Sequence, residues 1–590
     1  MTIKNVCQLI NDRLSSLPGY PAIGPFNNEF SKSNDLLDII EIIRDKILSF
    51  GTKKSDCVAI VMSGRADTVI NFLAAASCAT CAPLNPTYTF NEFKFFLSDL
   101  KTKILITDQK RNSPAIMAAQ CLKIKIIDYS LIKPGTAKHQ KKKESAGKNI
   151  KNCFSNLNDV ALMLYTSGTT NKPKIVPLTH KNIIASIKNI SRVYKLSQKD
   201  RCLNFVPLYH VHGLLVALST LANGGSLFCV PFEKEKFYSR LNNFRPTWYT
   251  AVPALHRAIV SLAKENPKIS AYRHLRFIRS SSAPLPRKIA TDLEKIFKAP
   301  ISESYGMTEA TLQITANPLP PKKRQVGSVG QPFGLKIGII DEDNKFLPPE
   351  KSGEIVIKGK NIFSKYKNNF KANKESFIKG WFKTGDWGHI DNDGFLFISG
   401  RLKEIINRGG EKISPREIDE VFLEHPSVEN AASFAIPHPA LGEDIAIALI
   451  FKKNAATTEA DLKKFAAKKL ANFKIPSRII KVKDLPAGPG GKLKRSALHE
   501  KFKHLLTIKY QKPFSKIEII LTQIWQEILG VKKIGINDNF FDLGGDSLKM
   551  TELINKINEY GWSFSPVEIM NKPSISHLAK LIRNKYKKNA

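Results

Sequence analysis

Between Tyr165 and Lys174 the chain reads YTSGTTNKPK. Hydroxyls at Thr166, Ser167, Thr169 and Thr170, the flexible Gly168 and the cations Lys172 and Lys174 form a set that can wrap the oxygens of a polyphosphate with backbone amides and side-chain donors. The order GxxxxGK[ST] is missing, so this is not a P-loop of that kind. Taken alone, such a loop is as readily an ordinary turn. A second candidate is Ser547 in DNFFDLGGDSLKM, which opens a helical pattern running through Ile557. An anion at the start of that helix would face free amides and the positive end of the helix dipole. The same Asp-Ser pair would also serve as a plain N-cap. Cys78 and Cys81 make one CxxC inside the apolar run NFLAAASCATCAPL, which fits helix core better than a redox or metal site.

The elements that must hold these groups follow from periodicity. Up to about residue 400, amphipathic helices such as DLLDIIEIIRDKILSF alternate with short apolar strands such as CVAIVM and KILITD, an α/β layered pattern. A lysine-rich, weakly patterned stretch from about Ile132 to Asn158 interrupts it. The strand DVALMLYT then runs directly into the hydroxyl-rich loop. DNDGFLFISGR reads as a hairpin with an Asp-Gly turn, and charge density rises after it, placing a boundary near Arg401. A smaller mixed unit, the polar linker TIKYQKPFS and a helix KIEIILTQIWQEIL with Ile517, Ile520, Leu521, Ile524, Trp525 and Ile528 at helical spacing complete the chain.

Composition bounds the function classes. At roughly 150 residues per domain, 590 residues predict about four units. With 42% apolar and 24% charged residues the chain is ordinary globular protein, neither fibrous nor disordered. No uncharged apolar run reaches about 18 residues and MTIKNVCQLINDR lacks a signal-peptide core, so neither membrane nor export is expected. The eight cysteines all fall between Cys7 and Cys229, which predicts reduced thiols and a cytoplasmic protein. The net charge of +39 invites a nucleic-acid reading, but the lysines are dispersed and no arginine-rich arm or aromatic–basic interleaving accompanies them. No nucleic-acid partner is expected. The charge would still draw anionic ligands toward a cleft.

Five further strings occur in order: SSSAPLP from Ser280, ESYGMTEA from Glu303, WFKTGDWGHID from Trp381, GRLKEIINRGGEKISPREID from Gly400 and LPAGPGGKLKR from Leu485. With these motifs, residues 1 to about 500 resemble the adenylate-forming superfamily of acyl-CoA synthetases, luciferases and peptide-synthetase adenylation domains. DLGGDSL and its flanks resemble the acyl or peptidyl carrier domain. The resemblance implies an α/β fold with a large N-terminal adenylation domain (1–400) and a small mobile α/β C-terminal subdomain (401–505). A linker (506–515) and an all-α helical-bundle carrier domain (516–590) would follow.

The chemistry implied is attack of a carboxylate on the α-phosphate of ATP. Two like charges at 4 Å repel by about 4 kcal/mol at an effective dielectric near 20, so cations and oriented donors are needed. By the resemblance Lys492 is the cation, Glu309 binds Mg²⁺ and Thr308 holds the α-phosphate. Tyr305 packs on adenine against Ser282, Ala283 and Pro284, while Asp386 and Arg401 serve the ribose. Lys403 stands where many relatives place a hinge aspartate. A rotation there would swing the small domain, withdraw Lys492 and let Gly409 and Gly410 line the path of a thiol. Ser547 would carry 4′-phosphopantetheine.

For the acid, VPLYHVHGLL offers Tyr209, His210 and His212 but no carboxylate to hold a substrate ammonium. The phrases MLYTSGTTNKPKIVPLTH, PLYHVHGLL and INRGGEKISP resemble the oxalate–CoA ligase branch, from which Leu312 departs where a histidine is expected. His210, His212 and Ser281, within the run Ser280–Ser282, therefore predict a small polar acid, one histidine being protonated. The alternative is His210 as an aromatic gate and His212 as packed core. The function expected is activation of that acid as an acyl-adenylate and transfer to the chain's own carrier, or else to free CoA. A nonenzymatic scaffold would require all five motifs to be remnants. A phosphopantetheinyl transferase and a downstream acyl acceptor acting in trans are the implied partners.

Overall fold

The apolar run DLLDIIEIIRDKILS winds into the helix Ser33–Ser49, and Leu36, Ile39, Ile40, Ile43 and Ile47 line its buried face. The computed structural model describes residues 3–26, 29–132, 154–166, 173–438, 441–453, 455–486, 493–506, 510–541, 543–571 and 573–586. Thr179 starts the helix His180–Tyr194 through a capping box with Asn182. Strands Cys57–Val61 and Thr102–Thr107 pair in parallel and are almost wholly buried, as a helix-covered parallel sheet requires.

The chain divides into two units, Met1–Ile398 and Ser399–Ala590. Among the described residues the first contains a six-stranded sheet in the order Lys125–Asp128, Thr102–Thr107, Cys57–Val61, Thr80–Pro83, Val160–Thr166, Lys174–Thr179. Its last two strands form an antiparallel hairpin whose register sets Thr166 opposite Lys174, so the hydroxyl-rich loop is the hairpin's connection. Cys78 and Cys81 are both buried. The expected placement in a helix is corrected: Cys78 follows the helix Arg65–Ala76 and Cys81 lies in the strand Thr80–Pro83, because the apolar run is shared between the two elements.

A nine-stranded sheet is parallel at its centre, where Ile301–Met307, Phe277–Ser280, Trp248–Ala251, Arg201–Asn204 and Ser226–Cys229 lie side by side. Ligands of open α/β sheets bind beyond the carboxyl ends of such strands. The SSSAPLP and PLYHVHGLL segments emerge at those ends. An antiparallel sheet contributes the strand Trp381–Ile390, along which Phe382, Thr384, Asp386 and Gly388 alternate inward. The Asp-Gly hairpin links this strand to Leu396–Arg401.

In the second unit, Gly442–Phe451 is flanked by Val428–His438, Ile406–Arg408 and Arg478–Lys481 in a sheet covered by helices. Four helices, Lys516–Leu529, Ser547–Glu559, Pro566–Asn571 and Ile575–Lys585, enclose a separate core that includes Leu521, Trp525, Leu553 and Leu578. The architecture is α/β with a C-terminal helical bundle. Among the described residues no helix is long and apolar enough to cross a membrane.

Candidate active site

Glu309 sits in the 3₁₀ turn Thr308–Ala310 and is 7% exposed. Its Oε1 accepts a hydrogen bond from the Tyr366 hydroxyl at 2.8 Å. Over the ring of the same tyrosine, 4.8 Å from its centroid, lies the Lys174 ammonium at the end of the hydroxyl-rich loop. Lys174, Tyr366 and Glu309 thus form one continuous contact, although the string that supplies Tyr366 carries no signal that sequence reasoning could have used. Thr308 is half-buried beside Glu309. Thr166 closes the strand before the loop, and its neighbour Tyr165 donates to Asp99 at 2.7 Å. Burial and Asp99 together push that hydroxyl's pKa well up. Ser167, Gly168, Thr169, Thr170 and Lys172 lie outside the described residues.

Tyr305 and Asp386 are brought together: the tyrosine hydroxyl donates to a carboxylate oxygen of Asp386, which is 5% exposed. Close approach of Gly306 to the next strand sets the backbone here. A Cβ at Gly306 would meet the Leu312 carbonyl oxygen at 1.5 Å. Leu312 itself is buried at φ 86, a conformation that costs a bulky residue roughly 1–3 kcal/mol. Ser281 Oγ donates to the Ser304 carbonyl at 2.9 Å, tying the serine run to the strand that carries Tyr305. Ala283 and Pro284 are exposed.

His212, in the helix Val211–Ala222, is 3% exposed and bonded at both ring nitrogens. Its Nδ1 lies 2.9 Å from Ser282 Oγ and its Nε2 2.8 Å from Thr250 Oγ1 and 2.6 Å from Arg279 Nη1. His210 precedes the helix, half-buried, with its ring 4.6 Å from that of Tyr209. Sequence reasoning missed Arg279 and Thr250. The one available signal was a lone arginine inside the apolar strand FIRS.

The remaining expected residues belong to the second unit. Arg401, the last residue of Leu396–Arg401, and Lys403, in the 3₁₀ turn Leu402–Glu404, are both exposed. Lys492 lies outside the described residues, but Arg495 just beyond it pairs with buried Asp419 at 2.7 Å and approaches Glu404 at 3.5 Å. Burial raises the Asp419 pKa against the pull of Arg495. Gly409 and Gly410 form the turn between Ile406–Arg408 and Glu411–Ile413, and φ 93 at Gly410 suits glycine alone. In the helical bundle Asp546 caps the helix Ser547–Glu559, its side chain accepting from Lys549 N at 2.8 Å. The serine is therefore the first helical residue and the cap is its neighbour.

An inward carboxylate, a cation beside the hydroxyl-rich hairpin loop and a tyrosine–aspartate pair beyond parallel strands suit a nucleotide. The AMP-binding enzyme family matches residues 44–367, over half of the chain. The chain belongs to that adenylate-forming family. The C-terminal domain of AMP-binding enzymes matches residues 417–492, and the phosphopantetheine attachment site matches 520–582. Oxalate–CoA ligase of Arabidopsis thaliana is 40% identical over 509 residues, covering 85% of this chain and 98% of that protein. Oxalate–CoA ligase of Saccharomyces cerevisiae is 39% identical over 482 residues, 76% of this chain and 87% of that one. The crystal structure of ATP-bound MatB from Rhodopseudomonas palustris matches with a TM-score of 0.76 at 27% identity, over 85% of this chain and 100% of that one. This AMP-binding enzyme is an ATP-using, AMP-forming carboxylic acid–thiol ligase that carries a helical carrier domain.

Proposed function

We propose that the enzyme activates a small polar carboxylic acid and transfers the acyl group to the phosphopantetheine thiol of its own carrier domain. The observation that carries the choice of acceptor is the phosphopantetheine attachment match on the same chain as both AMP-binding matches. An acid carboxylate attacks the α-phosphorus of ATP, pyrophosphate leaves, and a thiol then displaces AMP from the acyl-adenylate. Lys492 neutralises charge in the first step, Thr308 and the loop from Thr166 to Lys174 hold phosphate oxygens, and Tyr305, Asp386 and Arg401 position the nucleoside. Lys403 is the pivot between the two steps. A magnesium ion takes one or two carboxylates together with substrate phosphates. The inward carboxylate of Glu309, one oxygen already oriented by Tyr366, fits that demand, and the ion would supply positive charge at the phosphates. Ser547 fits phosphopantetheine as the first residue of a helix of 13, next to a side-chain cap and to Gly544 at φ 93. The arm would supply the accepting thiol.

The tether favours the internal acceptor. Leu498 and Phe502 of the helix Leu498–Leu506 are buried against Val428–His438 and Gly442–Phe451, whereas Tyr510 to Ser515 is bonded to the carrier through Gln511, Tyr510 and Ser515. The four steps from Leu506 to Tyr510 span at most about 14 Å, which keeps the local concentration of the carrier high. Free CoA is the second reading, favoured by the relatives named oxalate–CoA ligase.

Two measurements bear on this site. Tyr366→Phe is expected to slow acid-dependent pyrophosphate exchange about tenfold and to raise the Mg²⁺ concentration giving half-maximal rate, since a hydrogen bond to a charged group contributes about 1.5–3 kcal/mol. Unchanged Mg²⁺ dependence would remove the tyrosine from the site. In a panel of oxalate, malonate, small hydroxy acids, acetate, octanoate and the common amino acids, one of the small polar acids is expected to give the highest kcat/KM by roughly tenfold or more, because buried polar groups reject ligands that leave them unpaired. Octanoate or an amino acid at the top refutes the polar pocket.

A further inference from the structure

Arg279 is the one charge in the strand Phe277–Ser280 and is completely buried. Nη1 reaches His212 Nε2 at 2.6 Å and Thr250 Oγ1 at 3.3 Å. Among the described residues nothing hydrogen-bonds its Nε or Nη2, and its aromatic neighbour is Tyr194, 6.0 Å from the guanidinium to the ring centroid. A guanidinium remains charged and only donates. Buried without a counter-ion it is destabilising, so its retention asks for an anion within reach of its field.

The hydrogen bonds give that field a route. Because Arg279 donates to Nε2, this nitrogen must accept, which leaves the His212 ring neutral with its proton on Nδ1. Of the two histidines, one of which was expected to be protonated, His212 is then the neutral one. Nδ1–H then donates to Ser282 Oγ at 2.9 Å, and the serine directs its own proton elsewhere. Ser282 is half-buried and held at φ 77, an uncommon conformation for a side chain other than glycine that is typical of functional turns. We propose that Arg279 is a positioning residue for acid recognition: through His212 it fixes Ser282 as a donor, and its buried charge selects an acid with a second anionic group. The inference rests on the small-polar-acid reading above and adds the residue that sets the selection.

The test compares full-length wild type, Arg279→Met and Arg279→Lys in acid-dependent pyrophosphate exchange with oxalate, malonate and acetate, with thermal melting alongside. In Arg279→Met, kcat/KM for the diacids is expected to fall about tenfold or more, chiefly through KM, and that for acetate by severalfold less, so that the diacid-to-acetate ratio drops. Its Tm does not drop, because an uncompensated buried charge has been replaced by an apolar chain. Arg279→Lys keeps the charge without the planar fork and is intermediate in diacid selectivity. Equal losses for acetate and the diacids, or unchanged diacid kinetics, overturn the role of Arg279 while leaving the small-acid reading intact. Wild-type preference for acetate over both diacids overturns both. If Arg279→Met does not fold, Arg279→Lys decides: reduced diacid-to-acetate selectivity supports the role, and unchanged selectivity overturns it.

Discussion

Lys492→Ala is expected to lower acid-dependent pyrophosphate exchange by about 10²- to 10³-fold, the usual loss when one preorganised electrostatic contact to a developing transition state is removed. The incoming carboxylate and the α-phosphate are both anionic, and the lysine is the cation proposed to compensate them. Transfer of the acyl group from a supplied acyl-adenylate should be much less affected if, as proposed, rotation about Lys403 withdraws the lysine before the second step. Measuring the two half-reactions separately on the same preparation distinguishes this from general damage. Equal losses in both would mean that Lys492 does not belong to one state alone, and the rotation about Lys403 would have to be abandoned. Arg495, three residues further on, is held by its pair with buried Asp419 at the start of the 3₁₀ turn Arg495–Ala497 in the same unit.

Ser547→Ala is expected to abolish both the mass increase on treatment with a phosphopantetheinyl transferase and CoA, and the subsequent self-acylation, while pyrophosphate exchange stays near the wild-type rate. The serine supplies the only oxygen through which the arm would be attached, so the loss is complete rather than graded. In the proposed scheme the adenylation chemistry belongs to residues of the AMP-binding domain and its C-terminal partner, and the arm enters only at the thiol step. Intact-mass measurement after incubation with ATP, Mg²⁺ and the acid panel reads all three events together. If the alanine variant still forms acyl-CoA from free CoA at the wild-type rate, and wild type does not acylate itself, the carrier is an auxiliary and CoA is the acceptor. If exchange collapses as well, the carrier takes part in building the adenylation site.

By itself, the amino-acid sequence determined the family, the fold class and several individual elements, because each is encoded by residues near one another in the chain. Ordered strings such as ESYGMTEA and WFKTGDWGHID identified an adenylate-forming enzyme, and helical spacing from Ile517 to Ile528 marked the helix Lys516–Leu529. The Asp-Gly turn announced the hairpin after Trp381–Ile390, since both its strands and its turn chemistry are local. What tertiary structure alone decided are the partnerships that orient those residues. Tyr366 and Glu309 are 57 positions apart, and Arg279 and His212 are 67 apart. No periodicity spans such distances. They meet because parallel strands place their carboxyl ends together and an antiparallel sheet folds beside them. The same holds for the protonation of His212, which depends on which donor approaches Nε2, and for the capping of the carrier helix, where Asp546 rather than Ser547 accepts the free amide. Residue type and spacing announce which chemistry is present, while burial and hydrogen-bond direction, set by contacts between distant segments, decide the state in which each group performs it.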